Sequence, residues 1–155
     1  MVRSDIEKFL LSVEKPGRYV GGEPNSVVKN KNDVNIRFAF CFPDVYEIGM
    51  SHLGMKILYG LYNSIPDVWC ERVFAPWPDM EAKMRENSIP LYGLESGDSL
   101  KEFDFVGFTL QYELSFSNIF TMLDLSGIPF LSADRANDDP IVVLGGPSAC
   151  SPFRL

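Results

Sequence analysis

One segment, residues 34–42, changes its hydrophobic pattern along its length and limits the possible folds more than any other feature of the sequence. Its first half, 34–38, alternates apolar with polar residues, which is the period of a half-buried strand. Its second half, 39–42, is apolar on both faces. Strands buried on both faces are typical of parallel sheets that helices cover on both sides. We therefore predict that this segment is the first and central strand of such a sheet, ended by Pro43.

Strand-like and helix-like segments alternate along the rest of the chain. The helix-like segments carry apolar residues three and four positions apart, and the strand-like segments are short and apolar. This alternation predicts right-handed crossovers and an α/β, Rossmann-like (flavodoxin-like) three-layer sandwich with a mostly parallel central sheet. In chain order we predict a helix with its N-cap at Ser51, a strand at 68–75, a helix at 79–87, a strand or extended segment at 89–94, a strand at 104–110, a helix at 117–125, an extended piece at 128–131 and a strand at 141–144.

The first 33 residues differ from the rest of the chain. Residues 1–15 have the pattern of an amphipathic helix, and the turn formers at 16–17 and 21–25 interrupt any regular structure after it. We interpret 1–33 as an N-terminal helix and lead-in arm, and 34–155 as the Rossmann-like domain. Because the sequence stops just after a predicted strand, we expect a C-terminally truncated fragment of a longer protein.

Composition excludes several function classes. A net charge of −7 argues against a nucleic-acid backbone as partner, because that affinity needs clustered Lys and Arg. There is no apolar run long enough to cross a bilayer and no secretion signal, so we expect a cytoplasmic protein without membrane contact. The cysteines Cys41, Cys70 and Cys150 are far apart and beside apolar segments, and we expect them to be reduced core residues.

The predicted strands end in small or polar residues. In parallel sheets, ligands bind beyond the carboxyl ends of the strands, where loops from different strands meet. We therefore expect one crevice lined by the four strand ends, which are Pro43-Asp44, Pro76-Trp77, Thr109-Leu110-Gln111-Tyr112 and Gly145-Gly146-Pro147-Ser148.

The first of these loops, residues 44–49, resembles the Asp-x-His-x-x-Gly loop of cobalamin-binding domains. Asp44 and Gly49 match that spacing, whereas Tyr46 stands where the family has the histidine that ligates cobalt. A phenol is a poor cobalt ligand at neutral pH because its pKa is near 10. The resemblance implies that Asp44 and Gly49 contact a corrin ligand, without imidazole coordination from position 46.

Two later elements resemble the same family in order, although not in strict spacing. Thr109-Leu110-Gln111 falls at the family's Ser-x-Leu or Ser-x-Thr element, and Gly145-Gly146 falls at its Gly-Gly pair. His52, the only histidine, stands at a predicted helix start, where it is either a locally satisfied residue or a contact to a ligand phosphate or cobalt. The cofactor-binding residues implied are Asp44, Tyr46, Gly49, His52, Thr109, Gln111, Gly145 and Gly146.

Longer stretches resemble the N-terminal part of a bacterial family of radical S-adenosylmethionine (SAM) proteins that carry a cobalamin-binding-like domain. These stretches are GRYVGGEPNSVVK, FPDVYEIGMSHLGMKILY, ERVFAPWPDME, LESGDSLKEFDFVGFTLQYELSFSNIFTMLDLSGIP and DPIVVLGGPSACSP. The resemblance implies that a radical SAM domain follows in the same polypeptide and is the partner of this one. The 4Fe–4S cluster and S-adenosylmethionine are expected only in that downstream domain, because the CxxxCxxC motif is missing from this sequence.

Three readings of the function stay open at this point. The chain is a cobalamin-binding or scaffold domain, with no catalytic residue and no metal site of its own. Alternatively, it is a degenerate interaction domain that docks substrate or the radical SAM domain, with its crevice filled by Tyr46, Trp77 and Tyr112. A flavodoxin-like phosphate site is the third reading, but the loop DVYEIG is bulky and acidic for one.

Charged residues near the strand ends give no sign of a paired-carboxylate site. Four glutamates lie there, and charged side chains of this kind are mostly exposed in folded proteins. We therefore expect Glu47, Glu71, Glu95 and Glu113 to be solvated.

Overall fold

A four-stranded, all-parallel sheet forms the centre of the molecule. The computed structural model describes residues 2–150, and its strands are β1 (Ile36–Phe42), β2 (Val68–Phe74), β3 (Phe105–Thr109) and β4 (Ile141–Gly145). The strand order is β2-β1-β3-β4, so β1 lies between two partners as its apolar pattern predicts. This order is that of flavodoxin-like folds, and the predicted fold class is confirmed.

Helices lie on both faces of the sheet and cover its central strands, whereas β4 is largely exposed. They are α1 (Arg3–Ile6), α2 (Tyr46–Ser51), α3 (Leu53–Asn63), α4 (Pro78–Glu86) and α5 (Phe116–Leu125). Short 3-10 turns span Glu7–Ser12, Pro16–Tyr19, Leu100–Glu102, Glu113–Ser115, Ser132–Asp134 and Pro147–Cys150. Within residues 2–150, none of the helices has the length and apolar character that crossing a membrane requires.

Two hydrophobic cores lie on opposite faces of the sheet because successive residues of a strand point to opposite sides. On one face, Ala39 and Cys41 of β1 pack in a core with α4 and α5. On the other face, Phe40 and Phe42 pack in a core with α3. Cys41 and Cys70 are free thiols with no exposed surface, so the prediction that they are core residues is confirmed, while the Cys150 side chain lies outside the described residues.

The N-terminal segment differs from the single helix predicted for residues 1–15. Only α1 is α-helical, and a 3-10 turn follows it. Ile6 and Val13 are buried in the α4/α5 core, and the Val2 N–H donates to the Gly97 carbonyl at 2.9 Å. Because short helices are costly to nucleate, these tertiary contacts determine the local conformation more than the helical pattern does.

Two other boundaries differ from prediction. Ser51 lies inside α2, where its hydroxyl donates to the Glu47 carbonyl, and His52 is the N-cap of α3. The segment at 89–94 is extended but belongs to none of the four strands, and its only ladder contact within the described chain is an isolated bridge between Tyr92 and Ser99.

The prediction of solvated glutamates is wrong for Glu71 and Glu95. Glu71 has 0% exposure and pairs with Arg37 at 2.6 Å, and Glu95 is buried and pairs with Arg72 at 2.6 Å. Burying a charge is tolerated only when it is paired and hydrogen-bonded, and both carboxylates meet that requirement. Their partners come from other strands or distant loops, which sequence spacing does not reveal.

We predict that Glu71→Ala lowers the free energy of unfolding by about 1.5–3 kcal/mol, because the buried Arg37 guanidinium loses its hydrogen bond to Glu71 and keeps Asp98, at 3.1 Å, as a counter-charge. Glu86→Gln, which removes a surface pair with Lys83, is the control and should change it by less than about 0.5 kcal/mol. Urea denaturation of both variants measures the difference, and equal small effects would contradict the structural role of the buried pair.

Candidate functional site

The ends of β1, β3 and β4 meet at one edge of the sheet. Thr109 pairs with Gly145, and Cys41 of β1 pairs with Phe108, so the three strands end at nearly the same level. The Leu110 N–H donates to the Gly145 carbonyl at 2.6 Å and holds the two loops together. Asp44, Thr109 and Gly145 therefore lie on a common rim, although they are distant in sequence.

A groove of about 320 Å³ opens at this rim, between α3 and strands β1, β3 and β4. We call it the carboxyl-edge groove. Phe38, Leu58 and Tyr62 form an apolar wall, and the Phe38 and Tyr62 rings are 5.0 Å apart. Five of the eight residues predicted to bind a cofactor line this groove, namely His52, Thr109, Gln111, Gly145 and Gly146.

The two glycines at the end of β4 have different structural roles. A Cβ atom at Gly145 would meet no atom within 4 Å, so this position faces empty space. Gly146 has φ of +108°, and a Cβ there would lie 2.5 Å from the Leu110 carbonyl oxygen. Glycine is therefore required at 146 by the backbone, whereas its role at 145 is to leave room.

His52 lines the groove and has one ring nitrogen occupied by the backbone. As N-cap of α3, its Nδ1 accepts from the Met55 N–H at 3.1 Å. In a neutral imidazole this assigns the hydrogen to Nε2, which then donates. The ring packs against Phe42 at 5.2 Å between centroids. His52 is thus suited to contact a ligand oxygen and is poorly arranged to coordinate a metal.

Asp44 follows β1, and its carboxylate is already hydrogen-bonded to other groups of the protein. Its carboxylate accepts from the Val45 N–H and from the Tyr112 hydroxyl, each at 2.7 Å. The bond to Asp44, with some burial, raises the pKa of the Tyr112 phenol. Asn118 of α5 donates to the Pro43 carbonyl at 2.9 Å, so the loop after β1 is hydrogen-bonded both to the loop after β3 and to α5.

Tyr46 points away from the groove. Its hydroxyl donates to Glu23 of the lead-in arm at 2.9 Å, and its ring packs edge-on against Phe74 at 5.4 Å. Burial, together with the nearby Glu23 carboxylate, raises its pKa to about 12. Glu23 also pairs with the buried Arg72 at 3.2 Å. Tyr46 therefore anchors the arm to the domain.

Gly49 and Trp77 also lie outside the carboxyl-edge groove. A Cβ at Gly49 would overlap the Phe74 ring, so this glycine allows α2 to pack closely on the sheet. Trp77 follows β2, where the Arg18 guanidinium stacks on its ring at 5.1 Å. The structure thus places these two residues beside the arm and not beside the Thr109 and Gly145 loops.

The apolar wall of the groove is what sequence reasoning missed. Gly107, in the middle of β3, sits under the Phe38 ring, which would overlap any added Cβ. A glycine inside a strand often marks a close approach of this kind, so Gly107 was the sequence feature that could have revealed the apolar wall.

Within residues 2–150, no three His, Cys, Asp or Glu side chains come together to hold a metal ion.

We predict that Tyr46→Phe lowers the free energy of unfolding by about 1 kcal/mol at neutral pH, because it removes one partly buried hydrogen bond. The folded pKa of Tyr46 is above the ordinary value of 10, so this contribution is complete below pH 10 and is lost as the pH rises through about 12.

Urea denaturation between pH 8 and pH 11 measures this difference. Tyr62→Phe is the matched control, because the Tyr62 hydroxyl makes no hydrogen bond to any residue that the structure describes. A Tyr46→Phe effect no larger than that of Tyr62→Phe would show that Tyr46 does not anchor the arm.

Comparison with known proteins identifies the family. Residues 54–155 match the family described as radical SAM proteins, N-terminal. Searches of curated proteins and of solved structures found no match. The match covers α3, all of β2 to β4 and most of the groove, and it confirms the radical SAM part of the resemblance seen in the sequence. The chain belongs to the family of N-terminal regions of radical SAM proteins.

Proposed function

We propose that this domain binds a cobalamin-type corrinoid at the carboxyl-edge groove and positions it beside the radical SAM domain of the same polypeptide. The observation that carries the proposal is the groove itself, which is open, runs along the α3 face of the sheet with an aromatic wall, and reaches the carboxyl ends of β3 and β4. Sheets of this topology bind ligands at that edge. Its volume of about 320 Å³ suits one heterocyclic base of such a ligand, with the larger corrin ring at the mouth.

The side chains present fit a corrinoid without a protein ligand on cobalt. Tyr46, at the position of the family histidine, is bonded to Glu23, and the Nδ1 atom of His52 is used by Met55. The groove offers instead an imidazole N–H, the Thr109 and Gln111 side chains, and glycine backbone. These groups bind and orient a ligand, whereas the organometallic chemistry belongs to the corrinoid.

We expect the 155-residue chain to retain hydroxocobalamin or methylcobalamin at one equivalent after desalting, measured by corrin absorbance. In the cob(II)alamin state, its electron paramagnetic resonance spectrum should lack nitrogen splitting from a protein imidazole, because no histidine is free to coordinate cobalt. His52→Ala should weaken retention without changing that spectrum. Absence of retention at high corrinoid concentration would contradict corrinoid binding.

A groove-filling variant tests the location of the ligand. Gly145→Leu places a side chain in the open space of the carboxyl-edge groove, and we expect it to abolish corrinoid retention. Gly60→Leu is the matched control, because its Cβ also meets open space but lines a different cavity, between α3 and the arm. Circular dichroism of both variants checks that each is folded, and equal retention by both would show that the ligand binds elsewhere.

A second candidate is an interaction domain that has lost cofactor binding. Two hydrogen bonds within the protein favour it, because they engage side chains predicted to bind a cofactor. Tyr46 donates to Glu23 of the arm, and Tyr112 donates to Asp44. However, this candidate expects Tyr46, Trp77 and Tyr112 to fill the crevice, and none of them lines the open groove. The retention experiment separates the two candidates.

A further inference from the structure

Helix α3 is apolar on two opposite sides. Its sequence, LGMKILYGLYN, contains one charged residue, Lys56, in eleven positions. A helix of this kind is normally buried all round, whereas a surface helix carries polar residues on its outer face. The composition of α3 therefore indicates two partners, one on each side.

Residues 2–150 supply only one of these partners. Met55 and Tyr59 are 2% and 6% exposed, because they pack in the core on this face of the sheet. On the opposite side of the helix, Leu53, Ile57 and Leu61 are 68%, 60% and 56% exposed. These three residues are four positions apart and form one continuous ridge, which we call the α3 ridge.

We propose that the α3 ridge is the surface on which the radical SAM domain of the same polypeptide docks. This proposal rests on the family of the chain and on the ridge, and it holds whether or not the groove binds a corrinoid. A contiguous row of exposed large apolar side chains marks an interaction surface in soluble proteins. The i, i+4 spacing suits a helix of the partner domain, whose side chains fit on either side of such a ridge.

The path of the chain favours this occupant. β4 leads into Gly145 and Gly146, which line the carboxyl-edge groove opposite Leu58 and Tyr62 of α3. The polypeptide that follows Gly146 therefore starts on the side of this groove that faces α3. A tethered partner has a high effective concentration at such a surface, so a modest apolar contact suffices to hold it.

A second copy of this chain is a poorer occupant. If two α3 ridges packed antiparallel about a two-fold axis, residues near the centre of one helix would face their own counterparts. Lys56 is next to Ile57, at that centre, and α3 carries no acidic residue to offset it. Such a pair would bring two ammonium groups together at the interface.

Cysteine labelling distinguishes these occupants. In a Cys150→Ser background, the two remaining cysteines are buried, and burial raises the pKa of both thiols, so they react slowly. Ile57→Cys then adds one exposed thiol on the ridge. We expect maleimide to label it rapidly in the 155-residue chain, and at least about tenfold more slowly in the polypeptide extended through its radical SAM domain.

Two further variants make the comparison specific. Leu61→Cys, at the end of the ridge, should show the same slowing, which excludes an effect of losing the Ile57 side chain from the interface. Glu86→Cys lies at the end of α4 on the opposite face of the sheet, where the native side chain is 66% exposed, and it should be labelled equally fast in both proteins.

Equal labelling of Ile57→Cys in both proteins would overturn the proposal. Slow labelling in the 155-residue chain that becomes fast on dilution would also overturn it, in favour of a second copy as the occupant. No corrinoid is added, so these outcomes are independent of the retention experiment.

Discussion

The burial of β1 on both faces is the constraint on which the rest of the structure depends. Because β1 pairs in parallel with β2 on one side and β3 on the other, the carboxyl ends of neighbouring strands must lie at one edge. The same burial requires helices on both faces, which place α3 beside the end of β1 and leave a groove next to it. Without this central position, Asp44, Thr109 and Gly145 would have no common rim.

Position 46 shows how one residue changes the use of a loop. In the loop of cobalamin-binding domains that residues 44–49 resemble, a histidine stands at this position. Here the Tyr46 hydroxyl donates to Glu23 of the arm. Glu23 is bound in turn by Arg72, and Arg72 by Glu95, so the loop is part of a buried network that ties the arm to β2. Hydrogen bonds to charged groups are among the stronger ones, and the network therefore holds the loop rigidly. Through this network, Tyr46 contributes to the stability of the domain.

The sequence predicted the parts of the fold that depend on local patterns. The change of pattern within β1 predicted its central place, and the Gly145-Gly146 pair predicted the end of β4 at the carboxyl edge of the sheet. It failed where a distant partner decides the outcome. Glu71 and Glu95 are buried because Arg37 and Arg72 neutralise them, and nothing in the spacing of these residues shows that they meet.

The groups that face the groove are either apolar or able to form hydrogen bonds. His52 contributes an imidazole, the Gln111 side chain donates to the Thr109 hydroxyl at 2.6 Å, and the remaining wall is aromatic, aliphatic or glycine. This combination suits a ligand held by shape and hydrogen bonds, which is the mode of binding that we propose. The α3 ridge lies beside this groove, so a radical SAM domain docked on the ridge, as we propose, would also lie next to a ligand bound in the groove.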